Sequence, residues 1–190
     1  MKNPKNIKTV VLGVGNILLG DEGIGVHTIK KLQEENLPSS VLVIDGSTAG
    51  FRLFPVFETY RNCKFIIIDA IRIPVAISGK TTGNISDNKN KKNTSHKGDL
   101  YLIPLGDFYD LADSKYPGGD FISFHQTALI DVLNLFYLTC RTKIDGYLIG
   151  VNIYKNDDAD NNLTLSMKLS SKIERKIPKI IGIIKKYITP

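Results

Sequence analysis

Cysteine is nearly absent. Only Cys63 and Cys140 occur in 190 residues, far apart and in no CxxC pair. That excludes a disulfide framework and a structural zinc site, and two reduced, buried thiols in a cytosolic protein are expected instead. Long hydrophobic runs are missing too. Asn16 interrupts Val10–Leu19 and Asp69 interrupts Phe65–Ile71, so neither approaches the ~20 apolar residues of a membrane span. Met1-Lys2-Asn3-Pro4-Lys5 carries charge, but no signal-type apolar region and cleavage site follow. The cytoplasm is the expected compartment. The formal charge of +6 hints at nucleic acid. Residues 165–190 hold seven Lys or Arg against one Glu, and residues 78–99 hold five Lys against two Asp. Neither stretch interleaves aromatics with its basic residues as a single-strand binder does, so a solvated helix face and a polar loop account for the surplus.

What is present is an alternation of apolar strands and amphipathic helices. Ile7–Val14 is a β-rich run suited to a central strand covered on both faces. A Gly/Asn turn leads to a helix predicted over Glu22–Glu35, with Ile24, His27, Thr28 and Lys31 at helical spacing. A second strand, Val41–Ile44, ends in Asp45-Gly46-Ser47-Thr48, whose hydroxyls are placed to cap a helix starting near Ala49. A third strand, Lys64–Ile68, ends at Asp69. Ser78–Gly98 is polar and has almost nothing to bury, and reads as a surface insertion. A strand at Leu100–Pro104, a short helix at Asp107–Ala112 and a turn at Pro117-Gly118-Gly119 come next. A helix over His125–Thr139, with Leu129, Val132, Leu133 and Phe136 on one face, precedes a strand at Tyr147–Ile153. Leu165–Tyr187 reads as a closing helix kinked at Pro178. Strands alternating with helices imply βαβ units. The expectation is a single-domain, three-layer α/β fold over residues 1–190, its mostly parallel sheet of about five strands lying between helices.

Ligands of parallel sheets bind beyond the carboxyl ends of the strands. There the sequence places Glu22 after the first strand, Asp69 at the end of the third, and His125 at a helix start after Ser123-Phe124. Two carboxylates and an imidazole form an O,O,N donor set for a borderline divalent ion. Each residue also has a plain structural use: Glu22 favours a helix N-terminus, Asp69 can cap a turn, and His125 can satisfy a helix start. A dinucleotide fold is the rival in the same residues. Its G-x-G-x-x-G fingerprint fails at Leu18, which holds the third glycine position, and Asp21-Glu22 would repel phosphates. No Ser/His/Asp ordering fits a triad, no HExxH pair occurs, and neither cysteine sits near a predicted loop end with a histidine, so covalent serine or cysteine catalysis is not expected.

The segment Gly13-x-Gly15-Asn16-x-Leu18-x-x-Asp21-Glu22-x-x-Gly25 resembles the N-terminal signature of the hydrogenase maturation proteases. The likeness continues in order through Asp45-Gly46-Ser47-Thr48-Ala49-Gly50, Ile67-Ile68-Asp69-Ala70, Ser123-Phe124-His125-Gln126, Leu148-Ile149-Gly150-Val151 and the last helix with Pro178. The resemblance implies an endopeptidase that recognises the nickel-loaded precursor of a nickel–iron hydrogenase large subunit and removes its C-terminal extension. It implies that Glu22, Asp69 and His125 contact the metal and carry the catalysis. It further implies that Asp45, Gly46, Ser47 and Thr48 help bind the precursor. The nickel would arrive with the substrate, and a free enzyme without a permanent cofactor, monomeric and independent of nucleic acid or membrane, is expected. A metal-sensing chaperone that grips the precursor without cutting is the alternative.

Overall fold

The computed structural model describes residues 6–48, 50–72, 96–108, 124–154 and 165–188, with backbone alone for 124–128. Its centre is one five-stranded sheet in the order β2-β1-β3-β5-β4. The strands are β1 (Thr9–Val14), β2 (Val41–Ser47), β3 (Lys64–Ile71), β4 (Leu100–Pro104) and β5 (Gly146–Asn152). The pairs β1–β2, β1–β3 and β3–β5 are parallel, and β4 runs antiparallel along the edge. The helices are α1 (Ile24–Leu32), α2 (Phe54–Thr59), α3 (Phe124–Cys140), α4 (Ser171–Glu174) and α5 (Ile177–Ile188).

Side chains alternate across the sheet, and each face is covered by its own helices. Phe65, Ile67 and Ile71 of β3 join Val10, Leu12 and Leu148 beneath α2 and α3, where Leu129, Val132, Leu133 and Phe136 pack. Phe57 meets Phe65 edge-on at 5.1 Å and Phe136 at 6.2 Å. On the opposite face Val11, Ile66, Ile68 and Ile149 lie under Ile24, Ile29 and Leu32 of α1 and Ile177, Ile180 and Ile184 of α5. Burial on both faces explains why β1 and β3 read as unbroken apolar runs. No helix among the described residues is long and apolar enough to cross a membrane.

The structure redraws several expected elements. α1 begins at Ile24 after a 3-10 turn over Gly20–Gly23, and ends at Leu32. Its buried face holds Ile24, Gly25, Thr28, Ile29 and Leu32, whereas Lys31 is exposed. Gly25 belongs there because a glycine permits contact with the strand ends, which an apolar periodicity does not reveal. β2 extends through Ser47 with a register shift opposite Gly13 and Val14, so Asp45 lies inside the strand. The Ser47 hydroxyl donates to Asp45 Oδ1 at 3.0 Å. β3 likewise continues to Ile71, and Asp69 pairs with Gly150 rather than ending the strand. No single closing helix forms. The chain from 165 to 170 is not helical: Ser166 is bridged to Leu19 and a bend follows at Met167 and Lys168; α4 is one turn; and Pro178 stands in the first turn of α5, where its missing N–H costs nothing.

Leu105–Phe108 is a 3-10 turn; the rest of the helix expected over Asp107–Ala112, and the Pro117-Gly118-Gly119 turn, lie outside the described residues. So do residues 73–95, most of the expected insertion. Its last three residues, however, belong to the fold: Gly98 N donates to Asn152 O at 2.6 Å, and Gly98 is buried.

Candidate active site

The loop leaving β1 is shaped by backbone contacts that only glycine allows. Gly15 has φ +138°, and a Cβ there would lie 2.0 Å from the Glu22 carbonyl oxygen. Asn16 Oδ1 accepts from Leu18 N at 3.0 Å and tightens the turn. Gly25, in the first turn of α1, sits against the ends of two strands; a Cβ there would lie 2.2 Å from Val14 O and 2.4 Å from Ile68 O. These approaches press the Gly20–Gly23 turn and the start of α1 onto the carboxyl ends of β1 and β3. Two adjacent carboxylates are thereby brought to that edge, Asp21 and Glu22.

Asp21 is bound to the scaffold. Its carboxylate accepts from Ser170 N at 2.7 Å and Ser170 Oγ at 2.9 Å, and pairs with Lys97 Nζ at 2.5 Å. Burial alone would raise its pKa; Lys97 and the two Ser170 donors outweigh that and hold the carboxyl below its usual range. The residue thus ties three distant segments together: the β1 loop, the entry to β4 and the start of α4. Gly20 N adds a 2.6 Å bond to Ser166 O.

Glu22 is buried, and its Oε1 accepts from Arg72 Nη2 at 2.7 Å. Arg72 stands three residues beyond Asp69, just past the end of β3. The ion pair therefore ties Glu22 to the strand that carries Asp69. Asp69 is fully buried, and its Oδ1 accepts from Ala70 N at 2.8 Å. It alternates in phase with Ile67 and Ile71, on the face covered by α3. α3 ends at Cys140, and six residues later β5 begins at the amino edge of the sheet, beside Phe65. α3 therefore runs against the parallel strands, and its first turn, with His125, reaches the carboxyl edge. The described part of His125 is its backbone. The topology thus brings Glu22, Asp69 and the His125 position to one edge. Neither Arg72 nor Lys97 stood out in the sequence, because a lone basic residue in a loop carries no spacing signal.

Asp45 is exposed next to Gly13 at the same edge, and its Oδ1 accepts from Ser47 N at 2.9 Å as well as from the Ser47 hydroxyl. Gly46 is buried, while Ser47 and Thr48 are exposed. The two thiols lie at the opposite edge. Cys63 directly precedes β3, is buried, and donates to Ile7 O at 3.1 Å; burial pushes its thiol pKa up. Cys140 is the last residue of α3.

No family model matches the chain. Among curated proteins, the hydrogenase 2 maturation protease of Escherichia coli is 28% identical over 182 residues, 94% of this chain and 92% of the relative. HoxM, a hydrogenase expression/formation protein of Cupriavidus necator, is 27% identical over 94% of this chain and 74% of its own length. A Methanocaldococcus jannaschii protein named with the hydrogenase maturation proteases is 30% identical over 99 residues, and that match spans 63% of its length. Among solved structures, the E. coli hydrogenase-maturating endopeptidase HybD superposes with a TM-score of 0.62 at 27% identity, covering 95% of this chain and 91% of that one. HybD from Thermococcus kodakarensis, at 22% identity and a TM-score of 0.63, shares the fold over 96% of this chain and all of its own. Sequence and structure agree over nearly the whole of both chains in the E. coli comparison, so this chain is similar along its length to hydrogenase maturation proteases.

Proposed function

We propose that this protein is the endopeptidase that takes the nickel-loaded precursor of a hydrogenase large subunit and removes its C-terminal extension. The observation that carries this reading is the convergence of two buried carboxylates, Glu22 and Asp69, with the His125-bearing end of α3, at the edge where parallel-sheet enzymes bind ligands. Buried carboxylates are costly unless they meet cations or donors, and a substrate-borne nickel ion is such a partner. Glu22, Asp69 and His125 would supply oxygen and nitrogen ligands to nickel that the precursor already holds, so a precursor without nickel lacks the anchor. Asp45 and the Gly46-Ser47-Thr48 turn, exposed at the same edge, are available to the peptide.

The chemistry is hydrolysis. A water oxygen bonds to the scissile carbonyl carbon, a carboxylate of the site accepts the water proton, and that proton passes to the leaving amine as the C–N bond breaks. The substrate's nickel would be held by Glu22, Asp69 and His125, where it would position the bond and could also polarise its carbonyl. Both thiols stand at the far edge of the sheet, and Cys63 is buried with a raised pKa, which supports a mechanism without a cysteine nucleophile.

The test combines nickel-loaded precursor with the protein and reads the precursor's C-terminal mass. The mass should fall by that of the extension, and nickel-free precursor should stay uncut. Glu22→Gln, Asp69→Asn and His125→Ala should each slow cleavage and weaken cadmium binding while leaving the protein folded. Tight binding of loaded precursor without any cleavage would replace the protease reading with that of a chaperone.

A further inference from the structure

The Glu22 carboxylate is held in the free protein by a cation of the chain itself. Arg72 Nη2 lies 2.7 Å from Glu22 Oε1, with the Arg72 side chain 39% exposed and that of Glu22 only 9%. A charge-assisted bond of this length is among the stronger polar contacts a protein makes. The two members differ in what they can do. Glu22 is fixed by its 3-10 turn, by Gly15 behind its carbonyl and by the Asp21 clamp beside it. Arg72 follows the last residue of β3 and has solvent on one side. When the pair opens, Arg72 is the member able to leave.

We infer that Arg72 is a specificity-determining residue: its guanidinium occupies Glu22 until a metal presented by a bound precursor displaces it. The inference rests on the metal-contact reading of Glu22 given above. The guanidinium stands where a cation would stand, satisfies the buried carboxylate, and lowers the net gain open to any ion arriving alone. A free dication must break the pair with only Asp69 and His125 to offset that loss. A precursor brings its metal together with the binding energy of its own surface, and can open the pair. The apparent affinity for an isolated ion falls by the fraction of molecules in which Glu22 is released. Arg72 thus discriminates against free metal ions, which would otherwise fill the site unproductively.

Cadmium titrated by calorimetry into the metal-free protein tests this, with circular dichroism and the thermal midpoint as checks of folding. Arg72→Gln removes the charge but leaves an amide that can donate to Glu22, so the carboxylate is not stranded. It should bind cadmium about tenfold more tightly than wild type, and Arg72→Met should do at least as well where it folds. Arg72→Lys, which keeps the charge, should stay within a few-fold of wild type. Adding Glu22→Gln to Arg72→Gln should abolish the gain. A folded Arg72→Gln protein with unchanged or weaker cadmium binding overturns the inference. If Glu22→Gln alone weakens cadmium binding in that experiment, the metal reading of Glu22 stands while the role of Arg72 falls. If Glu22→Gln changes nothing, the metal reading fails and takes this inference with it.

Discussion

Replacing Asp21 by asparagine perturbs the clamp without changing its shape. The amide oxygen of the new side chain could still accept from Ser170 N or its hydroxyl, but the ion pair with Lys97 would be lost. The Lys97 and Asp21 side chains are 16% and 14% exposed, so water replaces the lost contact only in part. Hydrogen bonds to charged groups contribute about 1.5–3 kcal/mol, whereas exposed ion pairs contribute at most about 1 kcal/mol. A partly buried pair with two further donors falls between, at about 2 kcal/mol. For a chain of this size each kcal/mol moves the midpoint by roughly 2–4 °C, so Asp21→Asn should lower Tm by roughly 4–8 °C at neutral pH. The pH dependence has a definite sign. The folded carboxyl has a depressed pKa relative to the ordinary value of 3.8. Its contribution is therefore complete above the unfolded value and is lost as pH falls through the folded one. Paired thermal melts of wild type and variant from pH 7 downward should show a constant gap that narrows below about pH 4. A gap of the same size at every acid pH, or none at pH 7, would refute the assignment of Asp21 as a charged clamp.

Other expectations follow from the same geometry. Gly15→Ala combines a left-handed φ with a Cβ 2.0 Å from the Glu22 carbonyl; it should cost about 3 kcal/mol by chemical denaturation and weaken cadmium binding by shifting Glu22, and a neutral result would mean that the loop has room the contacts deny. Exchanging residues 78–95 for a short Gly/Ser linker should leave Tm nearly unchanged, since loop-closure entropy varies slowly with length; extending the exchange through Lys97 and Gly98 should lower Tm, because both make bonds to the fold. Asp45→Asn keeps an Oδ1 acceptor for Ser47 and should leave stability within about 0.5 kcal/mol while slowing precursor cleavage. Normal cleavage with lost stability would make Asp45 a turn residue only.

The layered sheet was legible because β1 and β3 are buried on both faces and β-branched residues fill them. Element ends were less so. Asp45 and Asp69 are polar residues inside strands, and an apolar pattern stops at each one too early. The glycines showed that the β1 loop is tight, but not why. Only the contacts of Gly15 with Glu22, and of Gly25 with β1 and β3, show that the motif seats one carboxylate against two strand ends. Leu165–Tyr187 looked like one helix because its basic and apolar residues recur at helical spacing. The structure commits 165–170 to bonds with Leu18, Gly20 and Asp21 instead, contacts between segments about 150 residues apart that no local pattern encodes. Arg72 and Lys97 were hidden for the same reason.

The sheet order also sets a schedule for building the protein. β3 pairs with β5, although β4 lies between them in the chain, and among the described strands β4 pairs with β5 alone. As the polypeptide emerges from the ribosome, β1, β2 and β3 can join early through nearby crossovers. β4 must wait without its partner until residues 146–152 arrive and slot in beside β3. Pairings that span so much chain form late. Asp69 gains its Gly150 neighbour only at that step, and the Asp21 clamp closes later still, once Ser170 has been made. A nascent or truncated chain therefore lacks the finished sheet edge at which Glu22 and Asp69 stand, and that edge is complete only when the fold is.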